Sequence, residues 1–471
     1  MDVTKLYHSV RSFAIATHTL PEYILNNGGW SYDAYGGVRY ALLHTTLELR
    51  RLAARLHGER IRRGLPQTQA QYALGQHHAA FRDFESLLVG MDQATYVSTP
   101  KPEEWCVNLI LVHVHEVERF FLAAILNTVR NPKPRRLSDE EVAALVDEPV
   151  EMAWEAPLEE AWTNYALLHG RLQHALADLS DEQLGLPSPA WEPEPWPVVE
   201  FRLHRFEAHL REHTNQLEKT LAWLGCQRAE SMALVRQLYA ALAEVEGLCI
   251  GAGDLDSRAI EEQAEKIDER LASLQTALGD IDAMVKALKE LDSARIDELL
   301  QRVPKLARTQ LEDGQPAILY AKFHGRDDIV ARLLASGLRL TMHESAAVGE
   351  LERVKKIADF IPEAVNEYGR DGFTPLQLAC FFGYEEIARF LLERGADVLA
   401  VAANTMQIQP IHAAVAGRHA SIVQLLIEHG ADVNARQQRG YTPFMAARQN
   451  GDVEIEAMLV AAGARPEDGI P

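Results

Sequence analysis

Cysteine is scarce in this sequence of 471 residues. Cys106, Cys226, Cys249 and Cys380 lie far apart, and no two of them form a CxxC pair. This spacing excludes a disulfide framework and a zinc site built from thiolates. Isolated cysteines are typical of a reducing compartment, so we expect a cytoplasmic protein.

Long apolar runs are also missing. No segment is long enough to span a bilayer, and the opening residues MDVTKLYHSVRSF lack the apolar core of a signal peptide. The sequence therefore predicts no membrane partner.

The sequence has fewer basic residues than acidic ones. The formal net charge is -21, which disfavours binding to a phosphate backbone. The basic stretch RRLAARLHGERIRR at 50–63 falls in a helical pattern, and we interpret it as a solvated helix face rather than a nucleic-acid site. The sequence therefore predicts no nucleic-acid partner.

The C-terminal third does contain a repeat of about 33 residues. The segment DGFTPLQLACFFGYEEIARFLLERGADV at 371–398 is echoed at 408–435 and again at 439–464. Proline presets the first turn of one helix in each copy, and glycine supplies a left-handed cap after the second helix. A short helix pair cannot bury its apolar face alone, so the copies are expected to stack into a solenoid.

In its period and in its TPL and GAD motifs, the repeat resembles the ankyrin repeat. The resemblance covers about 285–467 and is specific in the last three copies. It implies about five stacked helix pairs, a polar outer face on the last helix around Glu454 and Glu456, and a protein partner bound through the finger turns. Five side chains in those turns are candidate anchors: Arg370, Phe373, Gln437, Arg439 and Tyr441. The alternative is that Phe373 and Tyr441 only pack between neighbouring fingers.

The first half of the chain is helical by periodicity. Four long segments with an apolar face are separated by proline-rich links such as STPKP and NPKPRR, which favours a four-helix bundle. The predicted fold class is all-α. We divide the chain into a helical extension (1–66), a four-helix bundle (67–226), a helical connector (227–284) and the ankyrin repeats (285–467).

Histidines mark two of the bundle helices. In WCVNLILVHVHEVERFF, a rotation of 100° per residue places His113 on the apolar face and His115 on an outward, polar face. In HRFEAHLREHTNQ, His209 and His213 are four residues apart and share the apolar face, whereas His204 does not. Three inward histidines on two helices form a metal-ligand pattern, although a buried histidine is more often held by a hydrogen bond.

The order of these motifs resembles the DinB superfamily, whose members carry a metal-binding histidine after a tryptophan on the second helix and an H-x3-H pair on the fourth. Here those positions are His113 after Trp105, and His209 with His213. The resemblance covers about 67–226 and implies a divalent, zinc- or nickel-like ion. Characterised members include enzymes that use a low-molecular-weight thiol, so it also implies a thiol-dependent transferase.

Two alternatives stay open. In the first, the bundle is structural and the chain is a non-catalytic scaffold that binds its partner through the ankyrin repeats. In the second, HLREH at 209–213 is the inverted zinc-protease motif, with Glu212 as general base. That motif requires a further acidic ligand downstream, where this chain continues into repeats. If the histidines bind metal as in the DinB superfamily, Glu116 and Glu212 are instead candidates to orient the rings.

Overall fold

The computed structural model describes residues 3–25, 37–147, 155–190, 194–226, 229–253 and 255–465. Over these ranges the ordered elements are helices, accompanied by isolated β-bridges but no β-strand. The prediction of an all-α fold is confirmed. None of the described helices is both long enough and apolar enough to cross a membrane. The chain forms two compact units, of which the first ends at Thr276 and the second begins at Ala277.

The helices up to this boundary are α1 (Thr4–Thr17), α2 (Glu22–Leu25), α3 (Val38–Arg62), α4 (Gln69–Leu88), α5 (Gln93–Val97), α6 (Val107–Arg130), α7 (Asp139–Val146), α8 (Leu158–Leu176), α9 (Asp181–Leu184), α10 (Val199–Trp223) and α11 (Glu230–Cys249). The next helix, α12 (Ser257–Lys289), contains the boundary itself.

The helices α4, α6, α8 and α10 correspond to the four segments predicted from periodicity. They pack on one another around two apolar clusters, one built near the start of α4 and the other near its end. Each of the four helices passes from one cluster to the other. At that crossing each helix contributes a buried polar side chain: His77, Glu118, His169 and His209. The bundle core therefore contains a polar layer between apolar ones, and such a layer is stable only where its groups find partners.

The helix α11 lies in the range predicted as a connector, and it packs along α3 and α4 within the first unit. It carries Glu246, which is buried. Arg82 on α4 donates to the Glu246 carboxylate from Nε and from Nη2, each at 2.7 Å. Residues from α11 thus take part in the core beside α4.

The second unit consists of short helices. It contains α13 (Ser293–Arg302), followed by five helix pairs: α14 (Ala317–Phe323) with α15 (Asp327–Ala335), α16 (Met342–Val348) with α17 (Leu351–Phe360), α18 (Pro375–Phe382) with α19 (Glu385–Glu393), α20 (Pro410–Ala416) with α21 (Ala420–Glu428), and α22 (Pro443–Asn450) with α23 (Val453–Ala461). Short 3-10 helices lie at Pro304–Arg308, Pro362–Val365 and Gln438–Gly440.

The middle pair illustrates how the repeat motif folds. Thr374 caps α18 through a capping box with Gln377, and Pro375 occupies the first turn, where its missing N–H costs nothing. Gly383 ends the helix at φ 83°, a conformation that favours glycine. The Gln377 amide then donates to the carbonyl oxygens of Ala400 and Ile408, both at 2.9 Å, and so ties this pair to the finger that follows.

The last helix differs from its prediction. Ile455 and Leu459 of α23 are buried, as a helix pair requires. On the outer side Glu454 is exposed, but Val453 and Val460 are also 76% and 45% exposed. The prediction of a polar outer face is therefore wrong, because the residues exposed beside Glu454 are apolar (Val453, Ala457, Val460 and Ala461) and Glu456 is only half-buried.

Candidate metal centre

Three histidines meet inside the bundle: His113 on α6, and His209 and His213 one turn apart on α10. We call them the histidine triad. His209 Nε2 lies 3.3 Å from His113 Nε2 and 3.1 Å from His213 Nε2. Two nitrogens bound to one zinc ion at about 2.0–2.1 Å lie about 2.9–3.4 Å apart for bond angles between about 90° and 110°. Both observed distances fall in that range.

Two rings of the triad, His113 and His209, have pKa values that favour the neutral form that binds metal. Burial lowers the pKa of His209 to about 3, and the neighbouring His213 and His113 lower it further in the same direction. Burial also lowers the pKa of His113, an effect that His213 reinforces and Glu212 opposes. Near neutral pH these imidazoles therefore offer lone pairs rather than positive charge.

Gln216 fixes the tautomer of His213. Its Oε1 atom, one turn further along α10, lies 2.7 Å from His213 Nδ1. An amide oxygen only accepts, so Nδ1 of His213 carries a proton and donates it. The lone pair is then on Nε2, the atom that faces His209. Metal-ligating histidines are commonly oriented in this way by a partner on the other ring nitrogen.

Trp105, which precedes α6, forms an aromatic wall beside the triad. Its ring is parallel to that of His213 at a centroid distance of 6.2 Å, and it meets His113 edge-on at 5.0 Å. His209 and His213 are buried, whereas His113 is only half-buried. The triad is thus enclosed on the α10 side and more accessible at His113.

Replacing Gln216 by leucine should weaken divalent metal binding at the triad about 10–100-fold, because His213 would lose the acceptor that fixes its tautomer. Competition against a chromogenic zinc chelator measures this change. The matched control is Asn215→Leu, which alters an exposed neighbour on the same helix. Equal metal affinities for Gln216→Leu and Asn215→Leu would show that Gln216 does not orient His213.

The residue beside His213 that accepts from its ring is therefore Gln216, which sequence reasoning missed. Of the two carboxylates proposed for that role, Glu212 is exposed and raises the pKa of His113, and Glu116 is half-buried. Gln216 follows His213 by three residues, a helical spacing that a search for amide partners would have found.

The prediction that His115 faces outward is wrong. Its side chain is 2% exposed, and the other polar residues on that face are buried as well: Asn108, Glu118 and Arg119. The reason is that α6 packs against α5, α7, α8 and α10, so it has no wide solvent face. When a helix packs against neighbours on most sides, the position of its apolar stripe does not predict which of its polar residues are exposed.

A second group of buried polar residues was not predicted. It consists of His77 on α4, Glu118 on α6 and His169 on α8, and each of them offers one ligand atom within 4.8 Å of the others. We call this group the inner cluster. The signal in the sequence is a pair of histidines inside the apolar run ALGQHHAAF, which sequence reasoning left without a role.

The finger turns of the second unit carry the side chains predicted to anchor a partner: Arg370, Phe373, Gln437, Arg439 and Tyr441. Backbone hydrogen bonds close the two turns, from Gly369 N to Phe373 O at 2.8 Å and from Gln437 N to Tyr441 O at 2.9 Å. Both arginines are exposed, and the other three residues are half-buried. The Phe373 ring lies 6.5 Å from that of Phe323, so part of it packs within the repeats.

Comparison with protein families agrees with both halves of this architecture. The family described as the DinB superfamily matches residues 76–217, which contain the triad. The family described as ankyrin repeats, in three copies, matches residues 279–402 and 401–469. The chain joins a DinB superfamily domain to ankyrin repeats. Both predicted family resemblances are confirmed, and the repeats support a protein-interaction module.

Individual relatives match parts of the chain. It is 44% identical to rabankyrin-5 of Mus musculus over 82 residues, which are 17% of this chain and 7% of that protein. It is 34% identical over 127 residues to the transient receptor potential cation channel subfamily A member 1 of Homo sapiens, covering 26% of this chain and 11% of the channel. It is 26% identical over 189 residues to the probable 26S proteasome regulatory subunit p28 of Saccharomyces cerevisiae, covering 37% of this chain and 82% of that subunit.

Proposed function

We propose that the DinB domain binds a divalent, zinc- or nickel-like ion through His113, His209 and His213. The observation that carries this proposal is the spacing of their Nε2 atoms, 3.1 and 3.3 Å, which matches ligands of one ion. The lowered pKa values of His113 and His209, and the fixed tautomer of His213, supply the neutral donors that such an ion requires.

We further propose that the domain is a transferase that uses a low-molecular-weight thiol. His113, His209 and His213 would hold the ion and leave room for one further ligand, and the ion would lower the pKa of a thiol bound in that position. Around that position, Gln216 keeps His213 oriented and Trp105 excludes water from one side. The half-buried His113 leaves a side of the centre by which a small molecule can reach it.

The ankyrin repeats are proposed to bind a protein partner in the cytoplasm through the finger turns. Arg370 and Arg439 are exposed there, next to the half-buried aromatic rings of Phe373 and Tyr441. Exposed arginine beside aromatic surface is the composition of many interface anchors. We retain the domain division given above as part of this proposal, with the repeats over 285–467.

Metal analysis of the purified full-length chain tests the metal site. The variant His209→Ala should contain about one divalent ion fewer per chain than the wild type, because a site left with two ligands loses most of its affinity. The matched control is His204→Ala, an exposed histidine on the same helix. If His209→Ala retains the metal content of the wild type, the triad is not a metal site, and the scaffold alternative is favoured.

Thiol binding separates a transferase from a scaffold. In protein loaded with Co²⁺, a thiol that enters the open position should produce a sulfur-to-cobalt charge-transfer band. Glutathione and cysteine are suitable probes, with serine as the control that lacks sulfur. A band that appears in the wild type and is absent from His209→Ala supports the transferase. A spectrum unchanged by both thiols contradicts it.

A further inference from the structure

The outer face of α23, the last of the described helices, is more apolar than the same face of the repeats before it. The helices α19, α21 and α23 occupy the same place in three successive repeats, and each packs on the next. A shift of 33 residues aligns α21 with α23, as it aligns Gly430 with Gly463. A shift of 35 residues aligns α19 with α21 in the same way. Equivalent positions on the three helices can therefore be compared.

Two exposed positions change their character in α23. In the two helices before it these positions hold charged or amide side chains: Arg389 and Glu393 in α19, and Gln424 and Glu428 in α21. In α23 the same positions hold Ala457 and Ala461, which are exposed as well. Polar side chains are thus replaced by apolar ones on a surface that faces away from the core of the repeat.

A third position shows what this side of the helix packs against. It is held by Leu392 in α19, which is 9% exposed, and by Ile427 in α21, which packs against the core of the array. In both helices a further repeat follows and covers the position. In α23 it is held by Val460, which is 45% exposed. The side of α23 that carries Val460 is therefore the side on which the earlier repeats receive their successors.

The exposed apolar residues of α23 form one continuous stripe, which we call the outer stripe: Val453, Ala457, Val460 and Ala461. At 100° per residue they span about 100° of the helix surface, the width of a stripe that packs against another element. Ile455 and Leu459 are buried on the other side, so α23 is apolar on two sides. The terminal repeat of an array requires a polar outer face to stay soluble alone. The outer stripe is therefore a surface made to be covered.

The charges around the outer stripe favour a second, antiparallel copy of the same helix. Glu454 and Glu456, in the first half of α23, flank the stripe on its two sides, and the exposed Arg465 follows the other end of the helix. In an antiparallel pair the acidic half of each copy lies beside the Arg465 end of the other, and the helix dipoles are opposed. The small side chains of Ala457 and Ala461 allow two such helices to approach closely.

We propose that two copies of this chain associate through the outer stripe of α23, as a two-fold symmetric dimer in which two ankyrin arrays stack end to end. A second copy supplies an ankyrin helix with an apolar stripe of the same width and the opposite charge at each end. The contact continues the stacking of α19 on α21 and of α21 on α23. Because one helix from each copy makes a small interface, the dimer is weak, with a Kd on the order of micromolar.

Sedimentation velocity of the full-length chain tests this proposal. The wild type should change from monomer to dimer as its concentration rises through the micromolar range. Val460→Glu should weaken the dimer by at least about tenfold, because it places a carboxylate against apolar surface. Val460 is half exposed within one copy, so this variant should fold. The matched control is Val97→Glu on α5 of the first unit, where the valine is 50% exposed; it should dimerise like the wild type.

A charge exchange tests the antiparallel arrangement. Glu454→Arg brings two arginines together at each end of the interface and should weaken the dimer several-fold, and adding Arg465→Glu should restore it. Hydrogen exchange in the wild type should show protection of α23 that increases with protein concentration.

A wild type that is monomeric at every concentration overturns the proposal and leaves the outer stripe to a partner of another kind. A dimer that Val460→Glu leaves unchanged overturns it as well, because another surface then holds the copies together. The same holds if Val97→Glu weakens the dimer as much as Val460→Glu. A charge exchange that restores nothing contradicts the two-fold arrangement.

Discussion

Replacing Glu246 by glutamine should lower the free energy of unfolding of the first unit by about 3–5 kcal/mol, because the change breaks a buried ion pair. The Glu246 carboxylate accepts two hydrogen bonds from Arg82 at 2.7 Å and one from His78 at 2.8 Å. Arg82 would keep only one carboxylate partner, Glu85. When a buried guanidinium loses one of its two carboxylate partners, much of its desolvation energy is no longer compensated.

Tryptophan fluorescence during urea unfolding measures this effect selectively. The tryptophans that the structure describes, Trp105, Trp162, Trp196 and Trp223, belong to the first unit, and residues 277–471 contain no tryptophan, so their emission reports on the first unit. The matched control is Glu244→Gln, two residues earlier on α11, where the carboxylate meets Arg50 at 3.5 Å and both side chains are about half exposed. Exposed pairs contribute about 0–1 kcal/mol. If the two variants unfold at the same urea concentration, the ion pair of Glu246 is not a stabilising element.

The Glu246 contribution also depends on pH with a defined sign. Burial raises the pKa of this carboxyl group, but Arg82 and His78 outweigh burial and lower the pKa from 4.5 to about 2. A depressed pKa stabilises the folded state fully above pH 4.5, and the contribution disappears as the pH falls towards 2. The difference in stability between wild type and Glu246→Gln should therefore shrink over that interval.

The parts of the fold that sequence predicts well are those with a local cause. The ankyrin pairs follow from a period that places proline at Pro375 and glycine at Gly383, which start and stop a helix whatever surrounds them. The pair His209 and His213 follows equally directly, because residues four apart on a helix share a face. Their meeting with His113 required only that α6 and α10 be neighbours in the bundle.

The inner cluster could not be predicted in this way, because its members come from three helices and share no spacing in the sequence. His77, Glu118 and His169 meet only after the bundle has packed. Glu246, which accepts a hydrogen bond from His78, lies on α11. The periodicity of α11 does not indicate which bundle helix it packs against. The error at His115 has the same origin, since the burial of α6 depends on neighbours that the helix itself does not specify.

In the ankyrin repeats, Leu391→Ala should lower the local free energy of unfolding by about 2–5 kcal/mol, through the lost apolar transfer energy and the cavity that remains. Leu391 on α19 is completely buried. Its helix packs against α17 and α21 in the neighbouring repeats as well as against α18 in its own. Stability in a repeat array is shared between adjacent repeats, so the loss should extend to both neighbours and fade beyond them.

Hydrogen exchange read out by mass spectrometry resolves this pattern along the chain. Peptides that cover α17 to α21 should lose protection in Leu391→Ala, while peptides of the bundle helices α4 and α10 serve as internal references. The matched control is Leu399→Ala in the following finger, where the side chain is 45% exposed and its removal leaves no cavity. Loss of protection confined to α19 would mean that the repeats do not stabilise one another. Loss of protection in the described repeats on both sides of α19 would show that neighbouring repeats stabilise one another. The finger turns at Arg370 and Arg439 are connected by α18 to α21, so the partner-binding surface proposed there would then depend on the packing of these helices.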